Sequence, residues 1–286
     1  MVDMFKSVPN PSSAALPQSF TSTQAKADIK CGRPTTEHVG PPLLWYNQVF
    51  SKFVTAVADT TIVPTKEECS VVLELCNSMA KVFPNEAECL HAFDYITRDF
   101  LEAQFVTTRT GSGGSNDSIV THNICFENSV LSYLQTAIFV REGKNEIGTG
   151  HSDPYLQATF SYLHYWLQDD YKMLRERSHC PSFLLCVAGP WLCIAGAIFL
   201  DRIIVTPLTD FVLLMPTSNI NEYLRIFCIL HAVRDAGREL RRYFDTLSRV
   251  PFSQPSLTQH LFPFYRKFDS NGREIEFNYI NRLNGS

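Results

Sequence analysis

An excess of charge of one sign is the first thing this 286-residue chain lacks: 25 Lys and Arg stand against 29 Asp and Glu, a formal charge of −4. A globally basic coat for nucleic acid is therefore excluded, and any phosphate contact must come from a local patch. Paired cysteines are also missing. The nine cysteines are odd in number and none forms a CxxC pair. A disulfide framework or zinc knuckle needs clustered pairs, so buried free thiols in a reducing compartment are expected. The Ser- and Pro-rich N-terminus has no continuous apolar run, so no secretory signal is read and an intracellular place, nucleus or cytoplasm, is expected. No Gly-rich phosphate loop, V-A-I-K strand, H-R-D or D-F-G triplet occurs, which excludes kinase activity in this chain. Internal repeats are absent. With 45% hydrophobic and 19% charged residues the composition is globular, excluding wholesale disorder, collagen and coiled coil.

What is present begins with an uncharged run, Ser182 to Leu200, long enough to cross a membrane. Gly189-Pro190 interrupts it, and strand-like pieces follow at Arg202–Val205 and Asp210–Leu214. A buried β-meander is expected, with a membrane helix as the alternative and no membrane partner. The chain divides into a flexible Ser/Pro/Gln-rich arm over 1–40, an α/β domain over 41–250 and a C-terminal hairpin over 251–286. Helical spacing marks Leu43–Ala58, Lys66–Ala80 and Asn85–Phe105. Thr110–Ser115, TGSGGS, is a flexible linker by composition, natural or inserted. Strands are expected over Asp117–Cys125 and Leu134–Lys144, then a helix from Asp153 to about Met173 with Asp153 as cap and Pro154 in the first turn. A long amphipathic helix covers Asn219–Leu247. In the final hairpin, Phe264–Tyr279, Asn271-Gly272 is the turn and Ile275, Phe277 and Tyr279 share a face.

The chemistry concentrates at the end of the Leu134–Lys144 strand, in Glu142-Gly143-Lys144. Residues two apart in a strand project to one side, so Glu142 and Lys144 project together. A carboxylate there can hold a hard divalent cation, Mg2+ or Mn2+, and a lysine can orient or polarise the water attacking a phosphodiester. A second carboxylate is needed from a neighbouring strand. Asp117 is placed for it, with Glu127 as second choice. The plain alternative is a strand-end salt bridge of little energetic worth.

With Gln157 on the following helix, Asp117, Glu142 and Lys144 resemble the D…ExK signature of the PD-(D/E)xK nuclease superfamily. Over a wider span, KNEIGTGHSDPYLQATFSYLHYW and CPSFLLCVAGPWLCIAGAIFLDRIIVTPLTDFVLL resemble a module of Crinkler-type (CRN) proteins. They also resemble the region preceding the kinase-like domain of fungal-type kinase proteins. FPFYRKFDSNGREIEFNYINRL is similar to the opening hairpin of that domain. The resemblance spans roughly 134–283. It implies an α/β fold with a mixed sheet of restriction-endonuclease-like type flanked by helices, Mg2+-dependent cleavage of DNA, and a kinase-like domain in the full-length protein. Glu142, Lys144 and Gln157 match the family motif. Asp117 matches less closely, because GSGGS stands just before it. Asp117 and Glu142, helped by the Gly143 carbonyl, would hold the metal, Lys144 would place the water, and Gln157 would steady either. The Leu43–Ala58 helix lacks the glutamate that members often add there, and Glu37, just before it, is the substitute. The rival reading is a catalytically degenerate module that binds a partner or nucleic acid or regulates a kinase-like domain.

Three further groups have bland readings as their first choice. Arg225, Arg234, Arg238, Arg241 and Arg242 could meet phosphates, but interleaved Asp235, Glu239 and Asp245 point to a solvated helix face. His151 is expected as an exposed loop residue, and Tyr162, Tyr165 and Trp166 as core.

Overall fold

The computed structural model describes residues 5, 7–27, 29–33, 40–108, 117–126, 133–249, 267–270 and 273–276. The chain opens with helices α1 (Pro11–Ala14), α2 (Pro17–Ala27), α3 (Gln48–Ala58), α4 (Lys66–Met79) and α5 (Glu86–Leu101). Strands β1 (Val106–Thr108), β2 (Asp117–Ile124) and β3 (Leu134–Lys144) follow, then helices α6 (Pro154–Leu167) and α7 (Lys172–Arg175). Next come β4 (Ser182–Ala188), β5 (Trp191–Phe199), β6 (Ile203–Pro207), β7 (Val212–Leu213) and the long α8 (Ile220–Ser248). A separate pair, β8 (Lys267–Ser270) and β9 (Arg273–Glu276), closes the chain.

The helix starts are written locally. Thr65 and Glu68 form a reciprocal capping box at α4. Side chains of Asn47, Asn85, Asp153 and Asn219 accept from backbone N–H groups at the starts of α3, α5, α6 and α8. Helix α5 stops at Glu102, whose φ of 51° is left-handed, so residues 103–105 are not helical, where helix was expected to run on to Phe105, and β1 follows at Val106. Helix α6 likewise ends at Leu167 rather than near Met173, because Gln168 turns extended with ψ 143°.

The strands form one mixed sheet in the order β1-β2-β3-β4-β5-β6, with β7 on β5. Every pairing is antiparallel except β3 with β4, which run parallel from Phe139 opposite Phe183 to Lys144 opposite Ala188. Helix α6 supplies the crossover that a parallel pair requires. Strand alternation sorts the layers. Phe139 lies against Gly237 of α8, and Gly143 against Leu90 of α5. Glu142, an odd number of residues from both, turns to α6 on the other face.

The uncharged run is two buried strands. They break at Gly189, whose φ of 55° suits glycine, and Pro190. Among the described residues no helix is long and apolar enough to cross a membrane. In the C-terminal piece, Ser270 pairs with Arg273. The expected turn Asn271-Gly272, with Phe277 and Tyr279, lies outside the described residues.

The segment expected as a flexible arm is a correction. Phe5, Val8, Ala14, Ala15, Ile29 and Cys31 are buried. The rings of Phe5 and Phe199 lie 6.1 Å apart edge-on, as do those of Phe20 and Phe160 at 6.2 Å. Lys30 bridges β6 in parallel through Lys30 N–H to Ile203 O at 2.8 Å and Val205 N–H to Lys30 O at 2.9 Å. The segment thus covers the outer side of α6, and that helix is buried nearly all round. Composition misread it because several of its buried residues are small: Pro11, Ala14 and Ala15 bury little area each, and their neighbours are the Ser and Gln of a solvated chain.

All nine cysteines are free thiols; Cys69 and Cys125 are exposed and the other seven are buried. Burial pushes the thiols of Cys76, Cys89 and Cys193 up to about 11. A colorimetric thiol titration of the native protein is therefore expected to count two fast groups, Cys69 and Cys125, with the other seven appearing only in denaturant. Fast reaction of more than two in native buffer would contradict this burial.

Candidate active site

Strand β3 carries the Glu142-Gly143-Lys144 triplet to the end of the sheet, between α5 on one face and α6 on the other. Glu142 is 3% exposed. Gln157 Nε2 donates to its Oε2 at 2.9 Å, and the Ser161 hydroxyl donates to its Oε1. Gln157 and Ser161 are four apart on α6 and therefore share a helix face. The Ser152 hydroxyl donates to Gln157 Oε1 at 3.0 Å, which fixes the amide with its nitrogen toward Glu142. The same nitrogen lies 3.3 Å from Ser12 Oγ, so the N-terminal segment reaches the network.

Lys144 is 7% exposed. Its ammonium donates to Glu86 Oε2 at 3.3 Å, and its alkyl chain runs past Gly150, where an added Cβ would sit 3.4 Å from Cδ. Glu86 is the first residue of α5, half-exposed, where an acid also complements the helix dipole. The acid beside the ExK strand thus comes from α5. Leu43–Ala58 is not the source, and Glu37 lies outside the described residues.

Gly143 has a packing reason to be glycine: an added Cβ would stand 2.3 Å from Leu90 Cδ2. Asp117 opens β2 opposite Thr108 of β1, and the β2–β3 ladder begins at its neighbour, Ser118 opposite Arg141. Continued by one residue, that register leads from Asp117 to Glu142. The side chain of Asp117 and the whole of Glu127 lie outside the described residues.

Below this pair sits a group that sequence reasoning missed. Arg141, buried, pairs with Asp94 of α5 and donates to Ser118 Oγ at 2.8 Å, with its guanidinium 4.8 Å from the Phe105 ring centre. Burial raises the Asp94 carboxyl, against the pull of Arg141. This pair locks α5, β2 and β3 together next to the candidate site. Neither Ser161 nor Glu86 was singled out from the sequence, although Ser161 stands four beyond Gln157 on α6 and Glu86 is a first-turn acid of α5. No local signal marked Ser12 or Asp94.

Among the described residues no three His, Cys, Asp or Glu side chains converge as a metal-holding group. The chain matches no protein-family model, no curated protein and no solved structure. A carboxylate is an oxygen donor of the kind that a hard cation takes. Glu142 offers carboxylate oxygens, a carboxylate has about four acceptor positions, and Gln157 and Ser161 approach from the α6 side.

The arginines of α8 tie the helical layer together. Arg234 Nη1 lies 3.1 Å from Glu68 Oε1, Arg238 Nε 3.0 Å from Glu102 Oε2, and Arg225 pairs with Asp210. The Arg238 guanidinium holds the Glu102 carboxyl below its usual range. Tyr162 and Trp166 are fully buried, and Trp166 stacks 6.2 Å from Phe244. His151 is exposed, with a left-handed φ of 58°.

Proposed function

We propose that the chain is a metal-dependent phosphodiesterase acting on DNA, with a restriction-endonuclease-like sheet of the PD-(D/E)xK type, in the manner of a Crinkler-like effector nuclease. The observation that carries the reading is the 2.9 Å hydrogen bond from Gln157 Nε2 to Glu142 Oε2. It brings together two residues of the ExK…Q pattern that lie on different elements. Glu142 and Asp117, with the Gly143 carbonyl, would hold Mg2+ or Mn2+. Such a cation supplies charge stabilisation for the phosphoryl oxygens and acidifies its bound water. Gln157 and Ser161 keep the Glu142 carboxylate in one orientation. Lys144 holds its ammonium at the rim, balanced by Glu86, where it can orient the water.

A second reading draws on a specific observation. Glu142 is buried and held by two donors of α6, and Lys144 is engaged by Glu86. A module so closed would bind DNA or a partner, or regulate an attached kinase-like domain, without cutting. Supercoiled plasmid with Mg2+ or Mn2+, with and without EDTA, separates the two. Nicking that EDTA abolishes is expected; intact plasmid under every divalent cation would leave only the binding module.

A further inference from the structure

Next to the candidate site, the loop after Lys144 lines an open cavity of about 550 Å³ together with Ala188 and Phe211. We propose that this cavity takes one unpaired guanine base of a DNA strand passing Lys144. The proposal rests on the nuclease-type reading of the site and names the form of DNA that the site accepts.

The cavity and the site share their walls. Gly150 packs on the Lys144 chain, and Gly189 N–H donates to Lys144 O at 2.9 Å. Ser152, in the cavity wall, donates to the same Gln157 that holds Glu142. A base seated there would lie close enough to Lys144 to belong to a strand that meets it. The volume lies within the ~300–1,000 Å³ range of small-molecule sites and leaves room for a base and its sugar.

The lining selects a flat ring with hydrogen-bond donors. Phe211 is 39% exposed and Ile147 61% exposed, so two apolar side chains at the cavity face water. A purine can stack on such a ring. Of the two carboxylates in the wall, Asp153 is engaged. Its Oδ1 accepts from Tyr155 N–H at 2.8 Å, and its Oδ2 pairs with Arg33 at 2.8 Å. The Glu146 carboxylate has no such partner among the described residues. It lies over Gly189, where an added Cβ would stand 3.0 Å from its Oε2.

A carboxylate only accepts, so it selects an edge made of donors. Guanine alone among the four bases presents two adjacent donors, N1–H and the N2 amino group, at the spacing of two carboxylate oxygens. Adenine and cytosine set a ring acceptor beside their amino group, and thymine flanks its one N–H with two carbonyls. The guanine edge concerned is the pairing edge, which a duplex hides, so the base must be unpaired or flipped. The loop is braced for this: Thr149 Oγ1 donates to Glu146 O at 2.7 Å, and Gly148, Gly150 and His151 all take positive φ.

The test is binding in EDTA, where no cleavage occurs. Fluorescence anisotropy compares a short all-thymine strand, the same strand with one central guanine, and the guanine strand in duplex. The guanine strand is expected to bind about tenfold tighter than the other two. Glu146→Gln should erase that preference while leaving all-thymine binding unchanged. Phe211→Ala should weaken the guanine strand about tenfold, and Phe211→Tyr should restore it. Both positions are at the surface, and unchanged melting temperatures confirm that the variants fold. Equal affinity for the strands, no strand binding, or a preference that survives Glu146→Gln overturns the proposal. A protein that prefers guanine but never nicks plasmid loses the nuclease reading alone. One that nicks plasmid with Mg2+ but binds all strands equally loses the guanine site alone.

Discussion

Glu142→Gln is expected to abolish Mg2+-dependent cleavage, by a factor on the order of 10² or more, with little change in melting temperature. The substitution keeps the shape of the side chain and removes the charge that would hold the cation. Its cost to the fold is small for a reason visible in the network. The new amide nitrogen can face Ser161, whose hydroxyl rotates from donor to acceptor, while the amide oxygen still accepts from Gln157. Lys144→Ala should lose a similar factor by removing the group that places the water, and it frees Glu86 at the rim. Purified Glu142→Gln protein that cuts as fast as the parent, free of contaminating nuclease, would remove Glu142 from the chemistry. If neither protein cuts under any divalent cation, the non-catalytic module stands instead.

Removal of the residues before 40 is expected to lower the melting temperature by ten degrees or more. The segment contributes Phe5, Val8, Ala14, Ala15, Ile29 and Cys31 to the core and shields Phe160 and Phe199. At roughly 25 cal/mol per Å² of apolar area, such burial is worth several kcal/mol, and each kcal/mol moves the melting point by about 2–4 °C in a domain of this size. The truncated chain also loses the contact of Ser12 with Gln157 and the pairing of Arg33 with Asp153. Thermal melts of the two proteins decide it; a shift of only a degree or two would mean that these contacts add nothing to stability.

The elements that were legible in the sequence carry their own punctuation. Thr65 with Glu68, Asp153 with Pro154, Asn219, and Gly189-Pro190 each fix a boundary through a cap or a turn, chemistry that acts within a few residues. The α/β class and the strand bearing Glu142 and Lys144 followed from periodicity in the same way. Pairing between distant strands left no such mark. Short apolar runs bounded by turn residues mark β3 and β4 as strands, but nothing in them says that Phe139 lies opposite Phe183 in a parallel pair. The same limit hid Glu86, whose first-turn position looks like a dipole partner until α5 is docked beside Lys144. Gln157 stands out through the family resemblance; Ser161, which shares its face and its partner, has no such mark.

The parallel pairing of β3 with β4 sets an order of assembly. Strands β2 and β3 meet across a short connection, as do β4, β5 and β6 in succession, and such local pairs form early. The β3–β4 ladder must wait for the whole α6 crossover to close, because loop-closure entropy is lost before the distant contacts form. Glu142 and Lys144 lie on that late seam, and the two donors that hold Glu142 come from the crossover itself. A nascent or partly folded chain can hold both halves of the sheet and still lack the network around Glu142, which would be complete only with the last cooperative step of folding.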